Sequence, residues 1–330
     1  MRLEGLHHIT MITGDARANV AFYADVLGLR LVKKTVNFDA PEAYHLYFGD
    51  EQGSPGSILT WFEFAGATPG RAGAGMVHEI ELAVRSAAAL DFWAGRLAVR
   101  GHATERVDEH RLRFRDPDGL ELALVVLDEE APSLAAEHPD VPAEHAIDGV
   151  AGVRAYPRRR AADATPEALA AAAEPDRALL VETLGFEEVG AGAYRLAGNG
   201  RHVGYAYDRA PAERPVPGAG TVHHIAWHSH DADHEAWRVR VGEAGQFVTP
   251  IIDRDYFDAI YFRQPQGILF EIATTSPGFA VDEPADRLGE ELRLPRQHER
   301  LRSVLLQHLT PIENPRAARR TDAGEEVPSA

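Results

Sequence analysis

The chain has 330 residues, 45% of them hydrophobic, which is enough for a large core and, by the usual size of domains, for two domains. It contains no cysteine, so disulfides, thiolate metal ligands and a cysteine nucleophile are excluded. A formal net charge of −17 argues against binding to nucleic acid or to an anionic membrane surface. No apolar run reaches the ~18 residues of a membrane span, and the first residues lack the apolar core of a signal peptide, so we expect a cytoplasmic protein.

The N-terminal segment predicts a strand, a helix and three further strands. The strand is LHHITMI, and the helix is GDARANVAFYADVLG, with Asp15 as its candidate N-cap and Gly28 as its candidate stop. The segments GLRLVKKTVNF, AYHLYFGD and SILTWFEF alternate or run apolar between turn residues, which is typical of strands. The predicted order is therefore βαβββ.

The same order recurs along the chain with a period of about 70 residues, which indicates internal repetition. A second unit begins at MVHEIELAV, continues in a helix around Ser86–Val99 and ends in HRLRFRDPDGLELALVVL, where DPDG predicts a hairpin turn. The third has GVAGVRAYP as its first strand, Thr165–Leu184 as its helix, and GAYRLAG and RHVGYAYD as part of its sheet. The fourth has TVHHIAWHS, a helix over 231–245, and the strands FVTPIID, DAIYFRQ and GILFEIAT.

We therefore predict an α+β fold with four βαβββ modules arranged as two domains. Residues 1–127 would form an N-terminal domain of two modules, and 150–279 a C-terminal domain of two modules. Residues 128–149, rich in Pro, Ala and acidic residues, are the expected linker. Residues 280–330 would add a helix at 296–309 and a mobile tail. Edge strands of such sheets can pair between chains, which leaves a homo-oligomer open.

Paired histidines occupy the first strand of the first and the fourth module, in LHHIT and VHHIA. Neighbours on a strand point to opposite faces, so only one histidine of each pair can enter a shared cavity. His224 shares its face with Ala226 and His228, a small and polar set, and Thr10 marks the same face for His8. These two histidines are therefore the ones expected in the cavity.

The second and third modules differ at this place. Glu79 of VHEI aligns with His224, and the third module offers only Val153 and Arg154. If the modules pair into two facing sheets, the first and fourth would make a site, and the second and third a degenerate counterpart.

A buried carboxylate completes the predicted site. Glu271 in GILFEIAT lies on the face opposite to its bulky apolar neighbours, and an unpaired buried carboxylate normally requires a cation or a donor. We predict His8, His224 and Glu271 as metal ligands, with His7 and His223 behind or beside them. A histidine hydrogen-bonded within the core is commoner than a ligand, but three such residues at matching strand positions favour a metal.

Two neutral imidazoles and one carboxylate form the facial triad of non-haem Fe(II) oxygenases, whose open positions allow substrate and O₂ to bind together. Mn(II) could occupy the same set. Zn(II) could bind it as well, and would then favour water activation and hydrolysis. Ligand type alone does not separate these metals.

A second group of candidates precedes the glutamate strand, in DRDYFDAIYFRQPQG. Arg254 and Tyr261 could supply a cation and a phenol to an oxygen of an aromatic substrate, and Tyr256 is less favoured. The competing interpretation is that tyrosine is a good strand former and that Arg254 pairs at the surface with Asp253 and Asp255.

The segments LHHIT, GDARANVAFYADVLGLRLVKKTVNFD, YHLYFGDEQGSPGSILTWF, TVHHIAWHS, GILFEIAT and LGEELRLPRQHERLRSVLLQHLTPI resemble, in that order, the ring-cleaving dioxygenase branch of the vicinal oxygen chelate (glyoxalase/bleomycin-resistance) superfamily. The similarity is greatest to hydroquinone-type dioxygenases and covers nearly the whole chain, most strongly in the first and fourth modules. It implies four βαβββ modules, one mononuclear Fe(II) site per chain, and an aromatic substrate that is cleaved with O₂.

The resemblance also implies residue roles. The family's ligands match His8, His224 and Glu271, and its outer-shell positions match His7, Thr10, His223, Arg254 and Tyr261. It implies that His223 and Tyr261 handle protons and that Arg254 stabilises an anionic oxygen. His7 would orient a ligand. Competing functions on the same scaffold are a glyoxalase-like isomerase, a metal-assisted hydrolase, and a non-catalytic protein that sequesters an aromatic compound.

Overall fold

The computed structural model describes residues 1–127, 130–159, 161–162 and 164–322 of the chain. The first module contains β1 (Leu6–Thr13), β2 (Arg30–Val36), β3 (Tyr44–Gly49) and β4 (Ile58–Glu63). The second contains β5 (Val77–Val84), β6 (Thr104–Asp108), β7 (Arg111–Arg115) and β8 (Glu121–Val126). The third contains β9 (Val150–Ala155), β10 (Glu187–Gly190), β11 (Ala193–Gly198) and β12 (Arg201–Tyr207). The fourth contains β13 (Val222–His228), β14 (Ile252–Asp253), β15 (Asp258–Arg263) and β16 (Leu269–Ala273).

Each module has one principal helix between its first two strands. These helices are α1 (Ala16–Val20), α2 (Ala87–Val99), α3 (Pro166–Arg177) and α4 (His234–Glu243). The first and third continue as π-helical turns over Ala21–Val26 and Ala178–Thr183. The C-terminal segment adds a 3₁₀ turn at Arg296–Leu301, then α5 (Arg302–His308) and α6 (Pro315–Asp322). Among the residues described, none of the helices has the length and apolarity needed to cross a bilayer.

The modules pair into two eight-stranded sheets. The first and fourth modules form one sheet, with the strand order β14-β15-β16-β13-β1-β4-β3-β2. The second and third modules form the other, with the order β10-β11-β12-β9-β5-β8-β7-β6. The α+β fold of four βαβββ modules is thus confirmed, and so is the pairing of the first module with the fourth. Each sheet joins a module from the first half of the chain to one from the second half.

The predicted signals at the first helix are present in the structure. The carboxylate of Asp15 accepts hydrogen bonds from the backbone N–H groups of Arg17 (2.9 Å) and Ala18 (3.1 Å), as an N-cap does. Gly28 follows the helical segment with φ of 73°, a left-handed conformation that favours glycine. The π-helical continuation of this helix was not predicted.

The two faces of the first sheet have different environments. Ile225, Trp227, Phe270 and Ile272 belong to the large core cluster that also contains Trp237 of α4. The opposite face carries the polar side chains of the site and a smaller apolar cluster. Strand alternation therefore assigned these side chains to the correct faces.

Several predicted element boundaries were wrong. FVTPIID forms only the two-residue strand β14, because Pro250 has no N–H to donate to a ladder. The edge strands β6 and β10 were missed, since most of their residues are exposed and polar and give no apolar alternation. Residues 315–322 form a helix where a mobile tail was predicted, and the rest of that tail, 323–330, lies outside the described residues.

Candidate metal centre and substrate cavity

Three buried side chains from three adjacent strands converge on one face of the first sheet, opposite to the large core. They are His8 on β1, His224 on β13 and Glu271 on β16, the three predicted ligands. Nε2 of His224 lies 2.9 Å from Oε2 of Glu271, and Nε2 of His8 lies 3.5 Å from the same oxygen. The two imidazole Nε2 atoms are 3.3 Å apart. The structure therefore brings the two histidines together although 216 positions separate them in the chain.

The donor set fits a divalent cation. The side chain of Glu271 is fully buried, and the contacts of its Oε2 atom with the two imidazole nitrogens do not have the geometry of hydrogen bonds. Burial would raise the pKa of Glu271, but the imidazoles of His8 and His224 lower it well below its usual range. Burial lowers the pKa of His224, and Glu271 opposes this effect. A carboxylate and neutral imidazoles are the protonation states that bind a metal, and a cation would compensate the buried charge.

The outer histidines of the two pairs hold the rings of the inner ones. Nδ1 of His7 lies 2.8 Å from Nδ1 of His8, and Nδ1 of His223 lies 2.8 Å from Nδ1 of His224. Since the inner Nε2 atoms face one another, each inner ring is bonded on its other side to its neighbour. Such a partner fixes the tautomer and the orientation of a metal-binding imidazole.

Irregular pairing of β1 with β13 explains how neighbouring side chains come so close. The register shifts between Leu6 and His8, at the position of His7, and again at the position of His223. A bulge of this kind redirects a side chain that regular alternation would send to the opposite face. The expectation that only one histidine of each pair enters the cavity is accordingly wrong for the second pair, because His223 lines the cavity as well as His224.

Arg254 and Tyr261 lie together at the cavity wall. The guanidinium of Arg254 donates to the hydroxyl of Tyr261 (3.2 Å) and lies 5.2 Å from the centre of its ring. Tyr261 is directly opposite Glu271 in the pairing of β15 with β16. Burial, followed by the nearby Glu271, raises the pKa of Tyr261 well above its ordinary value. The pair offers a cation and a neutral phenol beside the proposed ligands.

The competing interpretation, in which Arg254 pairs at the surface with Asp253 and Asp255, is wrong. Asp253 and Asp255 form ion pairs with Arg296 (2.6 and 2.7 Å) rather than with the arginine between them. Tyr256 donates its hydroxyl hydrogen to Asp282 (3.1 Å) and does not line the cavity. This agrees with the expectation that Tyr256 is a less favoured substrate contact than Tyr261.

A cavity of about 470 Å³ opens above the three convergent side chains. A 150 Å³ apolar cavity is enough for benzene, so the volume admits a substituted aromatic ring. The polar part of its wall includes His45, Tyr47, His223, Arg254 and Tyr261. The apolar part includes Phe38, Phe62, Phe64, Ile252 and Leu269. His7 and Thr10, two of the predicted outer residues, do not line the cavity.

Sequence reasoning missed His45 and Tyr47. Both are buried on β3, two positions apart, and therefore on one face of the strand. The alternation of AYHLYFGD carried this signal, because Leu46 and Phe48 belong to the large core on the other face. No sequence pattern indicated which side chains of other strands His45 and Tyr47 contact.

The second sheet has a counterpart of the site that is filled by ion pairs. Glu79 stands at the position of His8 and is paired with Arg111 and Arg113. Arg154, opposite Glu79 in the pairing of β5 with β9, binds Asp208 (2.5 Å). Guanidinium groups thus compensate the buried carboxylate, and within the described residues no second set of three candidate ligands occurs.

Comparison with known proteins agrees with this architecture. Residues 5–124 match the model of the family described as Glyoxalase/Bleomycin resistance protein/Dioxygenase superfamily. The chain is 42% identical over 321 residues to the Bacillus subtilis (strain 168) protein named "Putative ring-cleaving dioxygenase MhqO", covering 94% of this chain and 96% of that protein. It is 32% identical over 330 residues to the chlorohydroquinone/hydroquinone 1,2-dioxygenase of Sphingobium indicum, covering 92% and 95% of the two chains.

Solved structures support the same assignment. A Bacillus subtilis protein described as a "putative dioxygenase" has a TM-score of 0.84 at 39% identity, covering 94% of this chain and 98% of that one. Glyoxalase I from Zea mays has a TM-score of 0.54 at 13% identity, covering 82% and 92%, and shows the shared fold alone. The chain belongs to the glyoxalase/bleomycin resistance protein/dioxygenase superfamily, among the relatives named ring-cleaving dioxygenases.

Proposed function

We propose that the chain is a non-haem Fe(II) dioxygenase that uses O₂ to cleave the ring of a dihydroxylated aromatic compound of the hydroquinone or catechol type. The observation that carries the proposal is the set of His8, His224 and Glu271, two imidazoles and one carboxylate at the base of a cavity large enough for an aromatic ring. The relatives named ring-cleaving and hydroquinone dioxygenases support the same reaction.

These three side chains would hold Fe(II), or Mn(II) in its place. When bound, the metal would supply open coordination positions at which a substrate oxygen and O₂ are held side by side. The neighbouring His7 and His223 would keep the ligand rings in one tautomer.

The cavity wall would orient the substrate. Its aromatic part, which includes Phe62, would pack against the ring of the substrate, whereas the Arg254 guanidinium would favour an anionic oxygen nearby. Tyr261 stays a phenol because of its raised pKa and would donate a hydrogen bond. His223 lies at the exposed side of the cavity, where it could exchange a proton with substrate or water.

Oxygen uptake tests the reaction. Anaerobically purified protein, loaded with Fe(II), is expected to consume O₂ when hydroquinones or catechols are added one at a time. Near-stoichiometric iron in the purified protein would support the proposal. Zinc or nickel would favour the isomerase or hydrolase, and uptake with none of the dihydroxybenzenes would refute the dioxygenase.

A pair of tyrosine variants tests the cavity wall. Tyr261→Phe removes the phenol beside the metal centre and should lower kcat about 10²-fold, the usual cost of one lost donor to a developing charge. Tyr256→Phe is the matched control, because its hydroxyl is bonded to Asp282 outside the cavity. Steady-state oxygen uptake checks both variants, and equal rates for them would argue against a role for Tyr261.

A further inference from the structure

Three consecutive residues of the C-terminal segment, Arg296, Gln297 and His298, contact two loops of the cavity wall. They begin the 3₁₀ turn Arg296–Leu301 and belong to the sequence LRLPRQHERL, to which the proposed function so far assigns no role. One of the two loops comes from the first module and the other from the fourth. The segment therefore joins parts of the cavity wall that lie far apart in the chain.

The loop from the fourth module carries Arg254. It is the hairpin loop 254–257 between β14 and β15, closed by a hydrogen bond from the backbone N–H of Arg254 to the carbonyl of Phe257 (2.9 Å). Asp255 in this loop has φ of 64°, a left-handed conformation that costs free energy for a residue with a side chain. Since β14 has only two residues, the loop gains much of its support from contacts outside the sheet.

Arg296 binds this loop on both sides of Arg254. Its guanidinium donates to the carboxylates of Asp253 (2.6 Å) and Asp255 (2.7 Å), and its backbone N–H also donates to Asp255 (2.9 Å). Asp253 accepts a further hydrogen bond from the backbone N–H of Asp255 (2.7 Å). One arginine thus fixes the residues before and after Arg254, so the backbone of Arg254 is held at both ends.

The next two residues bind the loop from the first module, which contains Phe38 and Asp39. The carbonyl oxygen of Phe38 accepts hydrogen bonds from Nε2 of Gln297 and from Nε2 of His298, both at 2.8 Å. Because a carbonyl oxygen can only accept, Nε2 of His298 carries a hydrogen in this contact. The same short segment therefore holds both loops.

The two loops meet at the guanidinium of Arg254. This group lies 5.4 Å from the ring centre of Phe38 and 5.2 Å from that of Tyr261, both within the range of cation–π contacts. Its Nη1 lies 3.4 Å from the carboxylate of Asp39, although 215 positions separate the two residues in the chain. All four of these residues line the cavity. The direction of the guanidinium thus depends on both loops.

We propose that residues 296–298 position the Arg254 guanidinium for an anionic oxygen of the substrate, with Arg296 as the main positioning residue. This inference rests on the proposed function, in which Arg254 meets such an oxygen. None of the three residues lines the cavity, so they act through the two loops. A guanidinium that is already oriented loses less side-chain entropy when the substrate binds, and therefore binds it more tightly.

The exposure of Arg296 separates this role from a role in stability. Its side chain is 76% exposed, and ion pairs at such sites contribute little to the stability of a fold. Arg296→Met should therefore leave the melting temperature close to that of the wild type. Its affinity for metal should also be unchanged, since the three candidate ligands are untouched. A loss of substrate affinity in this variant then arises from the cavity wall.

Binding of a coloured substrate analogue tests the proposal. 4-Nitrocatechol changes its visible absorption on ionisation, so titration of the Fe(II)-loaded protein under anaerobic conditions gives its dissociation constant. Arg296→Met should raise this constant about tenfold, the upper end for ordering one long side chain on binding. Arg302→Met is the matched control, because Arg302 at the start of α5 binds Glu299 of its own segment (2.5 Å). It should bind the analogue as the wild type does.

A second variant releases the loop of the first module. Gln297→Ala combined with His298→Leu removes both donors to the carbonyl of Phe38 and should also weaken binding of 4-nitrocatechol. Metal content and the circular dichroism spectrum establish that all variants are folded and loaded. Unchanged binding by this variant or by Arg296→Met, or an equal loss in Arg302→Met, would overturn the proposal.

A double-mutant cycle shows whether Arg296 acts through Arg254. In the Arg254→Met background, adding Arg296→Met should change the dissociation constant by less than about twofold, because no guanidinium is left to orient. A further tenfold loss in that background would mean that Arg296 acts by another route, and would also overturn the proposal.

Turnover gives a further readout. Arg296→Met should raise KM and leave kcat nearly unchanged, because the contact of Arg254 with the substrate already forms on binding. A loss confined to kcat would contradict the positioning role. Failure of the wild-type protein to take up oxygen with any dihydroxybenzene refutes the proposed function instead, and the binding of 4-nitrocatechol still tests the role of Arg296.

Discussion

At the scale of single residues, each histidine pair combines one candidate metal ligand with one neighbour that fixes the orientation of its ring. The inner imidazole of each pair turns its Nε2 to the shared position, and the outer one is bonded to the opposite nitrogen at 2.8 Å. A metal ligand needs this second contact, because a ring that is free to rotate or change tautomer binds a metal less well. The repeated HH motif is what the proposal of two metal ligands, each with an orienting neighbour, would require.

His7→Leu should lower the affinity for metal about 10- to 100-fold while the ligands themselves remain, since His8 loses the partner that fixes its ring. His78→Leu provides the control, because His78 has the same place in the second module, where arginines compensate the carboxylate. Competition with a coloured chelator measures both dissociation constants. An unchanged affinity in His7→Leu would show that the contact between the two rings has no orienting role.

The sequence allowed the three candidate ligands to be predicted better than their surroundings. His8, His224 and Glu271 could be selected because strand alternation and burial are local patterns, and the structure brings all three together. The shifts in register at the outer histidines depend on how β1 meets β13, and no local pattern reports them. The contact of His45 with Thr60 likewise joins different strands, so it could be seen only in the folded chain.

At the scale of elements, the sequence was informative where a strand buries one face and uninformative at the edges of the sheets. The central strands β1, β13 and β16 alternate between core and cavity, and these strands and β5 of the second sheet were placed correctly. β6 and β10 lie at the ends of one sheet, where exposed charged residues avoid unwanted pairing but remove the apolar signal. Packing rather than sequence pattern also decides where the C-terminal segment lies.

Lys33 and Lys34, the two lysines of the chain, lie on the edge strand β2. Both bind the C-terminal segment, here residues 282–312. The fully buried ammonium of Lys33 lies between the carboxylates of Asp282 (2.6 Å) and Glu283 (2.5 Å). The ammonium of Lys34 instead donates to two backbone carbonyls, those of Glu290 and Ile312, both at 3.0 Å. The two neighbouring lysines thus fix the same segment in different ways.

Lys33→Met should lower the free energy of unfolding by about 3–5 kcal/mol, because it leaves the buried carboxylate of Glu283 without its cation. Lys34→Met should cost less, since it removes only hydrogen bonds to neutral carbonyls. Adding Glu283→Gln to Lys33→Met should recover part of the loss by removing the unpaired charge. Urea denaturation measures all three, and an equal loss for both lysine variants would contradict the ion-pair explanation.

At the scale of the whole molecule, a buried polar network joins the third module to the fourth. Asp176 on α3 accepts hydrogen bonds from the hydroxyl of Tyr207 on β12 and from the backbone N–H of Gln266, which lies between β15 and β16. Gln264 donates to the hydroxyls of Tyr205 and Tyr207. The network therefore links α3 and β12 of the third module to the turn between β15 and β16 of the fourth.

Asp176 should make the stability of this junction depend on pH. Burial raises the pKa of Asp176 to about 7, above its value in the unfolded chain. A raised pKa means that the stability contributed by the protonated carboxyl is fully present below about pH 4 and is lost as the pH rises through about 7. Asp176→Asn should flatten this part of the stability curve, whereas Asp91→Asn on the exposed side of α2 should not. Urea denaturation at several values between pH 4 and 8 measures how the free energy of unfolding changes with pH. The same change in the wild type and in Asp176→Asn would show that Asp176 does not cause the pH dependence.

Metal binding should stabilise the whole fold, because its ligands come from the first and the last module. A cation at 100 times its dissociation constant adds about 2.7 kcal/mol to the free energy of unfolding if the unfolded chain does not bind it. In a chain of this size such a gain should raise Tm by several degrees. His224→Ala should abolish both metal retention and this rise while leaving the metal-free fold largely intact, since the backbone pairing of β1 with β13 remains.

His110→Ala, on an exposed turn of the second module, is the control and should respond to metal as the wild type does. Calorimetry with and without Fe(II) under anaerobic conditions measures the shift. A variant lacking His224 that still binds iron as tightly and melts as high as the wild type would mean that the two ends of the chain are held together without a shared cation.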